Sequence, residues 1–141
     1  MNGLEIKEAL KEGKRVYGTC VLSPATRWLD LVPGTGVDFV FIDTEHIPIG
    51  RETLSWMCRA YTGIGISPIV RVPSTDPIEA SKAIDAGAVG VIAPYVESAK
   101  QAMDLVGAVK YRPLKHKRLQ AILNEEEAID PKLERYLEKS N

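Results

Sequence analysis

Val37-Asp38-Phe39-Val40-Phe41-Ile42, followed by Asp43-Thr44-Glu45-His46, is the stretch on which the reading of this chain turns. The first part is a nearly continuous apolar run rich in β-branched and aromatic residues. Such a run marks a strand buried on both faces, as in a parallel sheet covered by helices. The second part is polar and lies where that strand ends. Parallel βα proteins place their chemistry at the carboxyl ends of their strands, so this junction is also the first place to look for function.

Working outward, the same grammar repeats. Val16–Leu22 reads as a strand ended by Ser23-Pro24, with Ser23 as a cap and Pro24 at the first position of a helix running through Trp28, Leu29 and Leu31 to Pro33-Gly34. Upstream, Leu4, Ile6 and Leu10 among Glu5, Lys7, Glu8 and Lys11 predict a short amphipathic helix closed by Gly13. Downstream come a helix from Arg51 to Tyr61, a strand over Pro68–Val72, and a helix capped by Asp76 with Pro77 at its first position, ending near Gly87. A strand over Val89–Ala93 and a helix over Ser98–Tyr111 complete the series.

Regular strand–helix alternation with buried strands predicts an α/β fold of parallel βα units with right-handed crossovers, in a barrel or an open sheet. At 141 residues the chain is one domain and is short for a closed barrel of about 250 residues. We assign residues 1–111 to the βα array and 112–141 to a C-terminal helical tail. In that tail Arg112–Arg118 reads as a basic turn and Asn124-Glu125-Glu126-Glu127 as a capped polar turn. Asp130-Pro131 opens a short helix in which Leu133, Tyr136 and Leu137 share a face.

Composition narrows the function classes. A net charge of −1 provides no footprint for nucleic acid or an anionic membrane, and no GxGxxG or P-loop follows any predicted strand. Cys20 and Cys58 fall in separate elements without metal-ligand spacing, which suits two structural thiols in a reducing compartment. Met1–Gly13 has no apolar leader core, and the apolar runs are strand-length, so a soluble, cytoplasmic protein is expected.

The candidate site residues lie at the predicted strand ends. His46 has two carboxylates, Asp43 and Glu45, within three residues, which suits a general base as well as a hydrogen-bonded loop histidine. Arg71 interrupts an apolar strand, either as a salt bridge to Asp43 or Glu45 or as a clamp for a carboxylate or enolate. Pro94-Tyr95 and Ser23 mark two further strand ends. Asp85, late in its helix, His116 in the basic turn, and Glu125–Glu127 read on their own as solvated charge.

Together, Ile42-Asp43-Thr44-Glu45-His46-Ile47-Pro48, Val70-Arg71-Val72-Pro73 with Asp76-Pro77, Ile84-Asp85-Ala86-Gly87-Ala88 and Ile92-Ala93-Pro94-Tyr95-Val96 resemble the HpcH/HpaI aldolase family over residues 4–112. The resemblance implies a partial TIM barrel of about four βα units. It also implies a lyase that cleaves 4-hydroxy-2-oxo acids to pyruvate and an aldehyde. On that footing His46 is the general acid/base, Arg71 stabilises the pyruvate enolate, and Asp85 raises the basicity of the histidine, often across a subunit interface. Asp43 and Glu45 support them.

The resemblance further implies a divalent metal, Mg2+ or Mn2+, held by carboxylates at fifth and sixth strands, so no metal ligand is assigned in this sequence. His116 stands where the resemblance leads to a glycine. Four βα units leave open sheet edges and an uncovered apolar face, so a homo-oligomer or a complementing half-barrel is expected, with activity dependent on that assembly. The alternatives are a non-catalytic half-barrel partner subunit and an α/β domain that binds a small anion through Arg71 and His46.

Overall fold

The computed structural model describes residues 1–140. Four strands, β1 (Gly18–Val21), β2 (Phe39–Asp43), β3 (Ser67–Arg71) and β4 (Gly90–Ile92), form one parallel sheet in the order β1-β2-β3-β4. The helices are α1 (Gly3–Lys11), α2 (Trp28–Leu31), α3 (Arg51–Gly63), α4 (Pro77–Asp85), α5 (Ala99–Lys110), α6 (His116–Leu123) and α7 (Pro131–Ser140). Among the described residues no helix is long and apolar enough to cross a membrane.

The strand period of two separates the faces of the sheet. Val21, Val40, Ile42, Val70 and Val72 point toward α3 and α4, where they are buried with Leu54, Met57, Cys58, Tyr61 and Ala83. Complete burial of an aliphatic side chain of this size contributes roughly 1.5–3 kcal/mol, so this layer dominates the stability of the array. The alternating residues Cys20, Phe39, Phe41, Ile69 and Ile92 face the other way and stay half-buried or exposed. The Phe39 ring lies over Gly18, where a β-carbon would come within 2.3 Å of ring atoms.

At the amino ends of the strands α1 crosses that second face, burying Ile6 and Ala9 and bordering Ile69, Val89 and Gly90. A capping box between Asn2 and Glu5 starts it, and the Ser67 hydroxyl donates to the Met1 carbonyl at 2.7 Å. One end of the array is thereby covered, and the carboxyl ends are left for the site.

Several sequence expectations change in detail. Ser23 does not cap a helix: its Oγ accepts from Trp28 Nε1 at 3.0 Å, and α2 starts only at Trp28, with Pro33 inside a following 3-10 turn, Val32–Thr35. The basic segment is not all turn, since His116 opens α6, whose Leu119 and Leu123 pack on Gly107 of α5. Asn124–Glu127 form the expected polar turn, placed at the end of α6, where the bonds from Glu126 N to Ala121 O (2.7 Å) and Glu125 N to Ile122 O (3.1 Å) terminate the helix. In α7 Leu137 is buried, and Tyr136 beside it is 55% exposed.

Candidate active site

Asp43 and Arg71 are the last residues of β2 and β3 and are paired in register. Their side chains meet as a two-pronged ion pair, Arg71 Nε to Asp43 Oδ1 at 3.1 Å and Nη2 to Oδ2 at 2.7 Å. Arg71 Nε also lies 3.1 Å from Glu45 Oε2, and its guanidinium sits 5.3 Å from the Phe41 ring centroid. The salt bridge exists, to both carboxylates at once, and it lies at the chemically loaded end of the strand.

The loop after β2 is folded around the same carboxylate. Asp43 Oδ1 accepts from the backbone N–H of Glu45 at 2.9 Å and of His46 at 3.3 Å, an Asx-type turn. Thr44 fastens the loop to β3, its N–H and Oγ1 both donating to the Arg71 carbonyl at 3.0 and 2.7 Å. The Arg71 guanidinium, with those two amides, holds the Asp43 carboxyl down at about 2 despite its burial. The two carboxylates in turn push Arg71 further up, Asp43 first.

His46 projects outward from this fixed base. Its imidazole is 62% exposed, and Nε2 stands 3.6 Å from Oε1 of the buried Glu45 carboxylate, within ion-pair range and longer than a hydrogen bond. Across the mouth, Tyr95 follows β4 with φ +56° and is 69% exposed. The Glu45 carboxylate raises the ionisation of its phenol. Thr44 and Tyr95 thus join a cluster whose centre the sequence marked. Pro94-Tyr95 was legible as a strand end, but nothing in the sequence joined Tyr95 to Glu45.

The fold brings together Asp43, Glu45, His46 and Arg71, and sets Asp85 apart. Asp85 ends α4 with its side chain 76% exposed, 3.6 Å from Arg112 Nη1. It borders a cleft of about 350 Å3 on the helix-covered side of the sheet, which Thr44, Ser55 and Lys82 also line. Ser23 is taken up by Trp28, and Glu127 pairs with Arg118 at 2.9 Å, outside the cluster.

The divalent metal implied by the resemblance does not find a site in these residues. Among the described residues no three of His, Cys, Asp or Glu group to hold a metal ion. Asp43 and Glu45 are both engaged by Arg71.

Parallel βα units with a histidine, a guanidinium and buried carboxylates at their carboxyl ends define a barrel-type α/β protein with its site in the customary place. The family model for HpcH/HpaI aldolase/citrate lyase matches residues 20–130, and the chain belongs to that family. The 2-dehydro-3,6-dideoxy-6-sulfogluconate aldolase of Pseudomonas putida is 36% identical over 105 residues, 74% of this chain and 41% of that protein. The pyruvate aldolase of Rhizobium etli is 32% identical over 107 residues, 76% of this chain and 42% of that protein. The chain thus spans about two fifths of the length of the curated relatives it matches.

Solved structures agree on the fold. An HpcH/HpaI aldolase from Desulfitobacterium hafniense superposes with a TM-score of 0.73 at 23% identity, over 96% of this chain and 52% of that one. The citrate synthase SbnG superposes with a TM-score of 0.70 at 32% identity, over 85% of this chain and 50% of that one.

Proposed function

We propose that this chain carries the acid/base and enolate-stabilising part of a lyase acting on 4-hydroxy-2-oxo acids. The observation that supports this most is the convergence of His46, Arg71, Asp43 and Glu45 at the carboxyl ends of β2 and β3. In the retro-aldol direction His46 takes the proton of the C4 hydroxyl, and the C3–C4 bond breaks to release an aldehyde. The electron pair enters the enolate of pyruvate, and the same imidazole returns the proton to C3. Arg71, fixed in place by Asp43 and Glu45, presents positive charge to the 2-oxo acid as its oxygen becomes an enolate oxygen. Asp85, apart from His46 within one chain, acts on the histidine of another copy in a homo-oligomer.

The test is pyruvate release from a 4-hydroxy-2-oxo acid, followed through a coupled lactate dehydrogenase reaction with and without added Mg2+. His46→Gln should lower the rate by about two to four orders of magnitude while the protein stays folded. An unchanged rate in the folded variant would rule the assignment out.

The uncovered sheet face supports a second reading. Phe39, Phe41, Ile69 and Ile92 form an apolar surface on the side without α3 and α4, which suits a non-catalytic half-barrel subunit closing against another chain. Analytical ultracentrifugation separates the two. A folded assembly in which no His46-dependent turnover is found favours the partner role.

A further inference from the structure

Phe41 is a ring at the foot of the site that the reaction outlined above leaves without a role. Side chains alternate along a strand, so Phe41, two residues before Asp43 on β2, shares the face of the sheet that α3 and α4 do not cover. Arg71, in register with Asp43, projects from that same face of β3. The two meet on the diagonal between the strands, where the Arg71 guanidinium lies over the half-buried Phe41 ring, 5.3 Å from its centroid. That distance is within cation–π range.

The ion pairs do not by themselves fix the tilt of the guanidinium. Nη2 donates to Asp43 Oδ2 at 2.7 Å, the one short bond of the set. Nε donates to Asp43 Oδ1 at 3.1 Å and lies an equal 3.1 Å from Glu45 Oε2, so two carboxylates compete for one N–H. Among the described residues Nη1 has no hydrogen-bond acceptor. A fork held along one edge still rocks about that edge, because hydrogen bonds tolerate out-of-plane bending. A ring set against one face stops the rocking on that side. An enolate is planar, and a positive charge favours it most when already in place as its oxygen turns negative. We propose that Phe41 is a positioning residue whose ring fixes the plane of the Arg71 guanidinium and so presents Nη1 to the 2-oxo acid in one orientation. This rests on Arg71 acting as the enolate-stabilising group.

The experiment reads the side chain in the free protein, by nitrogen-resolved NMR of the Arg71 guanidinium, assigned by its loss in Arg71→Lys. In wild type the ring current of Phe41 moves the Arg71 Nε proton upfield of the other arginines. Phe41→Leu keeps an apolar side chain and removes the ring. Rotation about the Arg71 Cζ–Nε bond then speeds up by about 2–5-fold, the factor that a partly exposed cation–π contact corresponds to. Phe41→Tyr, which keeps the ring, restores the wild-type rotation. With pyruvate, Phe41→Leu lowers methyl-proton exchange at saturation by a similar factor and leaves half-saturation unchanged, since the ring touches the guanidinium and not the substrate. An Arg71 Nε proton without the upfield shift in wild type would overturn the proposal, and that result needs no variant. Rotation in folded Phe41→Leu no faster than wild type, or equally fast in Phe41→Tyr, would also overturn it, by leaving the ring as packing alone. So would an exchange rate at saturation that Phe41→Leu does not change. Rotation is read without turnover, so a failure of the lyase assignment is seen separately, in His46→Gln kinetics.

Discussion

Replacing Asp43 by Asn isolates the charge at the centre of the site. Asn keeps an oxygen for the N–H groups of Glu45 and His46, now bonded at 2.9 and 3.3 Å, but loses the charge and the second oxygen that hold Arg71. The Asp43 carboxyl is depressed from 3.8 to about 2 in a residue only 4% exposed. At roughly 1.4 kcal/mol for each unit, this corresponds to about 2 kcal/mol of stability. Because the folded value lies below the unfolded one, that stability is present in full above about pH 4–5 and is lost as pH falls through about 2. With a urea slope of about 2 kcal/mol per molar, the variant should unfold near 1 M earlier than wild type at pH 7. The gap should narrow steadily in acid. Paired urea titrations at pH 7 and near pH 2 measure it, and an equal gap at both would refute the electrostatic account, as would no gap at neutral pH.

Other perturbations test the frame. Gly18→Ala would bring a β-carbon to 2.3 Å from the Phe39 ring, and calorimetry should show a loss of about 1–3 kcal/mol from the displaced aromatic. His116 (φ +50°) and Glu125 (φ +61°) occupy left-handed backbone at the two ends of α6, so His116→Gly and Glu125→Gly should each raise stability by about 0.5–1 kcal/mol in thermal unfolding. Cys58 is fully buried with its thiol pushed up to about 11 by desolvation, whereas Cys20 is exposed on the uncovered face. A thiol reagent should therefore modify Cys20 in the native protein and Cys58 only on unfolding.

How much of this was legible in the sequence follows from which forces set each part. The strands were readable because Val40, Ile42, Val70 and Val72 must be buried, and apolar runs report burial directly. The Asp76-Pro77 cap was readable because its chemistry is local, whereas Ser98, read as the first residue of a helix, is the N-cap of α5. Asp43 was placed just beyond its strand, since a carboxylate at a buried end is tolerable only with a partner. Arg71 was named as a candidate for that partner, but the in-register, two-pronged pairing across β2 and β3 was not legible. The same limit hid the influence of Glu45 on Tyr95, which follows β4. The start of α6 was obscured by a basic run and by a histidine on a backbone that favours glycine, although the resemblance led to glycine at that position. Asp85 shows the reverse case, a residue assigned by resemblance whose partner the single chain does not supply: here it faces Arg112.

The central claim is that this cluster enolises a 2-oxo acid through His46. The most direct measurement is the exchange of pyruvate methyl protons for deuterium in deuterated water, followed by proton NMR on concentrated protein and on His46→Gln. The imidazole is 62% exposed, so its replacement should leave the fold intact. The account predicts exchange above the buffer rate with wild type and its loss in the folded variant. Exchange equally fast in both, or none from folded wild type saturated with pyruvate, would contradict it.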